Sequence, residues 1–303
     1  MTLPRVFASD LDGTLTRWDG TVDVDYLGPI MRKLQEEKGV DVVLISARPC
    51  LYVAQVARSI ALDKTSQHSC IVVGTNGSEI FDLKKMQMIK LQPLCNQTID
   101  EVIEFCRINT VGLEYYEMPN SIVCSINNEQ HQWFCKQMKL QSKILSLDEI
   151  KMNCHQIPPS QIHLRSNTHS IEQKVIPFIN SHILKHPQTK WARYYDNVVE
   201  ISPSAQQIEG IIGLNEDITT DKGSALRWLC KNQFNCSMND VCAIGDGDND
   251  MEMLQQAGFS YAPANSSRGA KQSAKVTLPW ENHENCVGKM IKMLFFGESK
   301  DKL

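Results

Sequence analysis

The segment FASDLDGTLT, residues 7–16, leads from a short apolar run directly into two carboxylates, those of Asp10 and Asp12. The run before Asp10 is typical of a buried strand, and Gly13 and Thr14 are typical of a turn that follows one. Two carboxylates this close repel each other unless a cation, a shared proton or a reaction compensates for their charge. The segment therefore predicts a strand that carries an acidic functional site at its carboxyl end.

The residues that follow alternate between helix and strand patterns. Apolar positions at helical spacing predict a helix over residues 24–38 that stops at Gly39. The near-continuous apolar run DVVLISA, residues 41–47, is typical of a parallel strand that is buried on both faces. Pro49 then opens a second helix, and residues 69–77 form a third strand that ends in turn residues. The order βαβαβ predicts an α/β fold with a doubly wound, Rossmann-like parallel sheet.

This pattern stops at about residue 80 and returns after VVEIS, residues 198–202. Between these points, strand-like segments such as SIVCSI and QIHLRS mix with helical ones, which indicates a separate α/β unit. The sequence therefore predicts one domain inserted within another. We place the doubly wound core at residues 1–84 and 204–303, and the inserted α/β domain at residues 85–203.

The composition narrows the possible functions. Of the 303 residues, 42% are hydrophobic, and the net charge of −4 leaves no basic footprint for nucleic acid or a membrane surface. No run of apolar residues is long enough to span a bilayer, and the first ten residues lack the apolar stretch of a secretory signal. Eleven scattered cysteines without a CxxC pair are expected to be reduced thiols of a cytoplasmic protein. The oligomeric state stays open.

Several groups suited to phosphoryl transfer stand at predicted strand ends or at the start of a helix. Parallel sheets bind ligands at the carboxyl ends of their strands, and helix starts favour anions. The groups at these junctions are Asp10, Asp12, Ser46, Lys222, Asp246, Asn249 and Asp250. They supply oxygen ligands for a divalent cation, a hydroxyl donor and an ammonium group. Phosphoryl transfer requires such cationic clamps together with a positioned nucleophile.

Four segments resemble, in order, the motifs of the haloacid dehalogenase (HAD) superfamily of phosphohydrolases. They are DLDGT at 10–14, LISAR at 44–48, DKGSAL at 221–226 and GDGDND at 245–250. The inserted domain lies between the second and third segments, which resembles the Cof-like subfamily with a C2-type (IIB) cap, and NGSE at 76–79 is also similar to that subfamily. The resemblance covers nearly the whole chain and implies a HAD core with an inserted α/β cap domain.

The resemblance also implies roles for the acidic residues. Asp10 is expected to be the nucleophile that forms an aspartyl-phosphate. Asp12 is expected to protonate the leaving oxygen and then to activate the hydrolytic water. Mg²⁺ is expected to bind the carboxylate of Asp10, the main-chain carbonyl of Asp12, and Asp246, with Asp250 as a direct or water-mediated ligand.

The remaining implied contacts bind the phosphoryl group. Ser46 is expected to donate a hydrogen bond to it, Lys222 to neutralise its charge, and Asn249 to orient it or a neighbouring carboxylate. Ser46 is followed by Ala47 where the family usually has Thr followed by Gly. An unusually long segment, residues 202–221, separates the last cap strand from the lysine motif, and Lys190 and Lys231 are the other lysines weighed for that position.

The cap of such proteins selects the leaving group, and four residues are candidate substrate contacts. They are Asn76, Arg165, Arg193 and Asn265. For each arginine, an ordinary surface ion pair is the simpler interpretation. We expect a Mg²⁺-dependent phosphatase that acts on a small phosphorylated metabolite such as a sugar phosphate. The alternatives are a phosphomutase of the phosphomannomutase type and a phosphoacceptor switch protein.

Overall fold

The computed structural model describes residues 3–64, 69–118, 120–186, 188–204 and 219–299. These residues fall into two compact units. The first takes in the described residues of Met1–Lys90 and Asn215–Leu303, and the second those of Leu91–Leu214. Most of the long segment ahead of Lys222, residues 205–218, lies outside the described residues.

The described strands and α-helices are numbered in chain order. The strands are β1 Val6–Ser9, β2 Asp41–Ile45, β3 Cys70–Gly74, β4 Glu79–Asp82, β5 Gln87–Leu91, β6 Gly112–Glu117, β7 Ser121–Cys124, β8 Gln141–Ile144, β9 Ile162–Arg165, β10 Thr189–Tyr195, β11 Val198–Pro203, β12 Val241–Ile244, β13 Phe259–Ala262 and β14 Val276–Thr277. The helices are α1 Val24–Lys38, α2 Cys50–Ser59, α3 Asn96–Asn109, α4 Glu129–Met138, α5 Leu147–Gln156, α6 Thr168–Ser170, α7 Ile176–Ser181, α8 Lys222–Leu229, α9 Met251–Gln256, α10 Arg268–Ser273 and α11 Cys286–Phe296.

The sheet of the first unit has the strand order β14-β13-β12-β1-β2-β3-β4-β5. Its strands from β14 to β3 are parallel, and β4 is antiparallel to β3. Leu226 of α8 and Met253 of α9 pack with Val43 in the core on one face of this sheet. Phe7 and Val42 point the other way along their strands and are also fully buried, so both faces are covered. The predicted α/β fold with a doubly wound parallel sheet is confirmed.

Local sequence explains the first helix of this unit. The side chain of Asp23 accepts a hydrogen bond from the N–H of Tyr26 at the start of α1 (3.2 Å). Gly39 ends the helix in the left-handed conformation, with a φ of 67°. The helix predicted over residues 24–38 is confirmed.

The parallel register determines where the functional residues of this unit lie. Central strand β1 pairs in parallel with both β2 and β12. Asp10 follows β1, Ser46 follows β2, and Asp246 follows β12 by two residues. Because the carboxyl ends of parallel strands meet at one edge, these three residues come to the same edge of the sheet.

The second unit contains a six-stranded sheet of order β10-β11-β9-β6-β7-β8. Its neighbouring strands are antiparallel except for β7 and β8, which are parallel. Apolar side chains of α3, α5 and α7 cover one face, including Val102, Ile150 and Ile179. Polar residues such as Glu114 and His163 alternate with the core residues along β6 and β9.

Among the described residues, no helix combines the length and the apolar character that crossing a bilayer requires.

Candidate active site

The loop after β1 carries Asp10 and packs against Asp246. The N–H of Asp10 donates to the carbonyl of Ile244 (3.0 Å), which ties the loop to the end of β12. Gly13 has a φ of +76°, and a Cβ at this position would overlap the Asp246 carboxylate. Thr14 Oγ1 donates to Asp246 Oδ1 at 2.8 Å. The two acidic segments predicted from the sequence are therefore in direct contact.

Lys222 is the first residue of α8 and is buried between two carboxylates. Its Nζ donates to Asp10 Oδ1 and to Asp250 Oδ1, both at 2.6 Å. The side chain of Asp221 caps this helix by accepting from the N–H of Ser224 (2.7 Å). Burial opposes the charge of Lys222, but Asp10 and Asp250 raise its pKa, so the ammonium group stays protonated.

The two carboxylates that contact this ammonium group form a cluster with a third, that of Asp246. Each of Asp10, Asp246 and Asp250 offers one oxygen, and these oxygens all lie within 4.8 Å of one another. Burial raises the pKa of Asp10 well above its usual value, and Asp250 and Asp246 raise it further against the opposing effect of Lys222. Burial, followed by the charge of Asp250, also raises the pKa of Asp246. With all three carboxylates ionised, the cluster would hold more negative charge than Lys222 compensates.

A divalent cation fits this cluster. Carboxylate oxygens are the ligands that hard cations such as Mg²⁺, Mn²⁺ and Ca²⁺ prefer. A positive charge beside Asp10 and Asp246 favours their ionised forms, which burial disfavours. The three residues that could hold the cation are those whose oxygens converge, Asp10, Asp246 and Asp250.

Asp12 occupies a different environment from Asp10. Its carboxylate forms a two-pronged ion pair with Arg48, with Nε–Oδ2 and Nη2–Oδ1 distances of 2.7 and 2.5 Å. The Asp12 side chain is 46% exposed, whereas Asp10 as a whole residue is 4% exposed. One carboxylate of the pair is therefore buried beside the ammonium group, and the other can reach water.

Ser46 is buried directly after β2. Its Oγ accepts from the N–H of Arg48 (3.1 Å), so the hydroxyl proton can be donated to a ligand. Its carbonyl accepts from the N–H of Asn76 (3.0 Å), which ties this segment to the turn after β3. The methyl group of Ala47, where the family usually has glycine, does not prevent this arrangement.

Asn249 and Asn76 are brought together although they are far apart in sequence. Nδ2 of Asn249 donates to Oδ1 of Asn76 at 3.0 Å. Asn76 lies in a turn whose residues Thr75, Asn76 and Gly77 have positive φ values of 49°, 52° and 112°. A β-branched residue such as Thr75 rarely adopts this conformation, so the turn is held by its surroundings.

Asn265 supports the loop after β1. Its Nδ2 donates to the carbonyl of Gly13 (2.7 Å), and its Oδ1 accepts from the N–H of Asn282 (2.9 Å). Both ends of the carboxamide are thus engaged within the protein. This arrangement is that of a structural support, which the sequence did not predict for Asn265.

The two arginines proposed as substrate contacts lie in the second unit. Arg165 donates to both oxygens of Glu114 at 3.0 Å and lines a cavity of about 520 Å³. Polar side chains such as Asn128 and Asn167 share the lining. Arg193 forms an ion pair with Glu172, the kind of contact that the simpler interpretation anticipated.

Two residues that the sequence did not single out for roles in the site are Thr14 and Asn282. Thr14 stands in the DLDGT segment itself, so its position beside Gly13 was an available signal. Asn282 lies 266 residues from its partner Thr16, whose carbonyl accepts from its Nδ2 (2.8 Å). No local pattern could have indicated that bond.

Replacing Gly13 is expected to weaken cation binding. In Gly13→Ala the new methyl group would overlap the Asp246 carboxylate and displace it. Mutation of residues that orient metal ligands typically lowers metal affinity by about 10–100-fold. Gly20→Ala is the matched control, because Gly20 has a φ of +77° but nothing within 4 Å of the position of a Cβ. Titration with Mn²⁺, followed by the electron paramagnetic resonance of the free ion, measures both affinities. Equal affinities in the two variants would contradict the packing argument.

The chain is similar to known proteins over nearly its whole length. Residues 7–291 match the sequence model of the haloacid dehalogenase-like hydrolases. A protein of Buchnera aphidicola, named as a candidate phosphatase, is 26% identical over 99% of both chains. A haloacid dehalogenase-like hydrolase from Bacteroides thetaiotaomicron is similar in structure, with a TM-score of 0.78, 22% identity, and 96% of this chain and 100% of that one covered.

A sugar phosphatase of HAD subclass IIB is similar as well. Its TM-score is 0.65 at 17% identity, with 97% of this chain and 99% of that chain covered. At this identity, the likeness concerns the fold alone.

Proposed function

The chain belongs to the haloacid dehalogenase-like hydrolases, and from this premise we propose that it hydrolyses a small phosphomonoester through an aspartyl-phosphate on Asp10, with Mg²⁺ as cofactor. The resemblance to the haloacid dehalogenase superfamily is confirmed, as is the prediction of an enzyme, a hydrolase of that family with relatives named as phosphatases. The similarity to a subclass IIB member is one of fold. The observation that carries the proposal is the position of Asp10, which is buried beside Lys222 and within reach of Asp246 and Asp250.

The first half-reaction forms a bond between an oxygen of Asp10 and phosphorus while the bond from phosphorus to the leaving oxygen breaks. Asp12 gives its proton to that leaving oxygen, so the alcohol departs neutral. Lys222 stays charged and faces the oxygens of Asp10 and the incoming phosphoryl group. The Ser46 hydroxyl donates to an oxygen of the phosphoryl group, and Asn249 orients the phosphoryl group.

The second half-reaction returns the enzyme to its starting state. A water molecule attacks phosphorus, its proton passes to Asp12, and the bond between phosphorus and Asp10 breaks. The partial exposure of Asp12 supports this role, because a group that must exchange protons with a leaving group and with water needs access to both. Arg48 binds both oxygens of the Asp12 carboxylate in the structure, so this ion pair must open for Asp12 to carry the proton that it gives to the leaving oxygen.

Asp10, Asp246 and Asp250 would hold Mg²⁺, together with the main-chain carbonyl of Asp12. When bound there, the ion neutralises charge on the transferring phosphoryl group.

A sugar phosphate in the cytoplasm is the substrate class we propose. Two observations support it. One similar structure is that of a sugar phosphatase. The cavity in the second unit is lined by an arginine and by side chains that can bind hydroxyl groups, among them Asn128, Arg165 and Asn167.

Phosphate release from a panel of sugar phosphates, nucleotides and pyridoxal phosphate tests the proposal. Each compound is incubated with Mg²⁺ or with EDTA, and the products are followed by ³¹P NMR. Release that requires Mg²⁺ supports a phosphatase, and the preferred compound identifies the substrate class. Isomerised sugar phosphate without free phosphate, activated by a sugar bisphosphate, would contradict hydrolysis and indicate a phosphomutase.

Mg²⁺ is expected to stabilise the protein more as the pH rises. The pKa values of Asp10 and Asp246 are raised in the metal-free folded state, so their contribution to stability is present at low pH and is lost as the pH rises through these raised values. At high pH these carboxylates are ionised, and a bound Mg²⁺ compensates their negative charge. A concentration of about 100 times Kd adds about 2.7 kcal/mol to the free energy of unfolding, and proton competition reduces this gain at low pH.

Thermal unfolding with and without Mg²⁺, between about pH 5 and pH 8, measures this gain. A shift in Tm that is the same at every pH would contradict the assignment of these carboxylates as the binding site.

A further inference from the structure

The geometry of the acidic cluster depends on two segments that the chain holds at a fixed spacing. Asp10 and Asp12 lie on the loop after β1, and Asp246 lies on the loop after β12. Direct contacts between these loops, through Gly13 and Thr14, show how closely they pack. A small shift of one loop would therefore move the ligand oxygens apart.

A third segment, residues 265–267 after β13, binds both loops at once. Asn265 Nδ2 donates to the carbonyl of Gly13 at 2.7 Å. Two residues later, the N–H of Ser267 donates to the carbonyl of Asp246 at 2.8 Å. The same short segment thus holds the backbone on both sides of the acidic cluster.

Asn282 fixes this segment and the far end of the first loop. Its backbone N–H donates to Asn265 Oδ1 (2.9 Å), and its Nδ2 donates to the carbonyl of Thr16 (2.8 Å). Asn282 is buried, so the loss of either bond would leave a polar group without water to replace it. The N–H of Ala264 donates to the carbonyl of Trp280 (2.8 Å), which joins the two segments further.

We propose that Asn265 and Asn282 are positioning residues for the cation: they set the spacing between the loop of Asp10 and Asp12 and the loop of Asp246, and thereby the affinity for Mg²⁺. This inference rests on the proposed function. Neither side chain touches the cation or the substrate in this account. Both act on the backbone carbonyls of Gly13 and Thr16.

Isothermal titration with Mg²⁺, without substrate, tests this inference. Asn265→Ala removes the bond to Gly13, and we expect its Kd for Mg²⁺ to rise about 10–100-fold. Turnover of p-nitrophenyl phosphate should return toward the wild-type kcat when Mg²⁺ is saturating. Asn285→Gly is the control, because Asn285 is in the left-handed conformation and its side chain donates to the half-buried Asp23 instead of to the loop.

Asn265→Asp distinguishes an effect of loop geometry on Mg²⁺ affinity from an effect of added charge. This variant keeps the oxygen that accepts from Asn282 but turns a second oxygen toward the Gly13 carbonyl, which repels it. A purely electrostatic effect of the added negative charge would strengthen Mg²⁺ binding, whereas displacement of the loop weakens it. We expect the weaker binding. The variant also provides the test if Asn265→Ala does not fold.

Wild-type affinity for Mg²⁺ in folded Asn265→Ala, or tighter binding in folded Asn265→Asp, would overturn the inference, even if Tm falls. Wild-type protein that neither binds Mg²⁺ nor releases phosphate would instead overturn the proposed function. The two failures are thus distinguished by the wild-type titration.

Discussion

Asp10→Asn is expected to fold normally and to lose phosphatase activity by about 10⁴-fold or more. The carboxamide has nearly the shape of the carboxylate but is a poor nucleophile, so no aspartyl-phosphate forms. Stability should hold, because burial and the charges of Asp250 and Asp246 already disfavour an ionised Asp10 in the metal-free protein. Lys222 retains its second partner, Asp250.

The measurement for this variant is kcat/KM for p-nitrophenyl phosphate with saturating Mg²⁺, together with Tm. Asp248→Asn is the matched control, since Asp248 belongs to the same GDGDND segment but is exposed and accepts from Ser267 Oγ, as an asparagine could. We expect nearly wild-type activity in the control. Appreciable turnover by Asp10→Asn would rule out Asp10 as the nucleophile.

Lys222→Met is expected to reduce both stability and activity. The variant lacks the ammonium group of Lys222, which compensates negative charge where Asp10, Asp246 and Asp250 lie close together. Removing one partner of a buried ion pair typically costs about 3–5 kcal/mol in the free energy of unfolding. Mg²⁺ should restore part of this stability, because the ion supplies positive charge at the same place, but not the phosphoryl contact that we propose for Lys222.

Urea unfolding with and without Mg²⁺, and phosphate release at saturating Mg²⁺, measure the two effects of this change. Lys231→Met is the control, because Lys231 follows α8 closely, is exposed, and was weighed for the same role. A change on the surface usually alters stability by no more than about 0.5 kcal/mol. Equal losses in the two variants would contradict the assignment of Lys222.

Much of the site could be predicted from the sequence, because topology places residues at strand ends. Asp10, Ser46 and Asp246 follow strands that the alternation of strand and helix predicts to be parallel. The fold class therefore predicts that they meet at one edge of the sheet. Lys222 was predicted at a helix start, and α8 begins there. Predicting the positions of these residues required only the order of helices and strands, not the details of side-chain packing.

The rest depends on contacts that no local pattern encodes. Asn265 was predicted as a substrate contact, and the sequence did not indicate that its carboxamide binds the carbonyl of Gly13, 252 residues away. Arg48 pairs with Asp12, 36 residues away, and nothing in the segment LISAR indicates that partner. In the second unit, β8 has four exposed residues, QSKI, and gives no apolar signal. Such features follow from tertiary packing rather than from periodicity.

The most direct test of the central claim is the time course of Asp12→Asn with p-nitrophenyl phosphate and Mg²⁺. p-Nitrophenolate is a good leaving group and needs no acid, so Asp10 should still be phosphorylated. The asparagine, however, cannot activate the water that hydrolyses the aspartyl-phosphate. We predict a burst of about one p-nitrophenolate per chain, with a phosphoryl group found by mass spectrometry on the peptide that contains Asp10. The absence of a burst, or a phosphoryl group on another residue, would contradict the account.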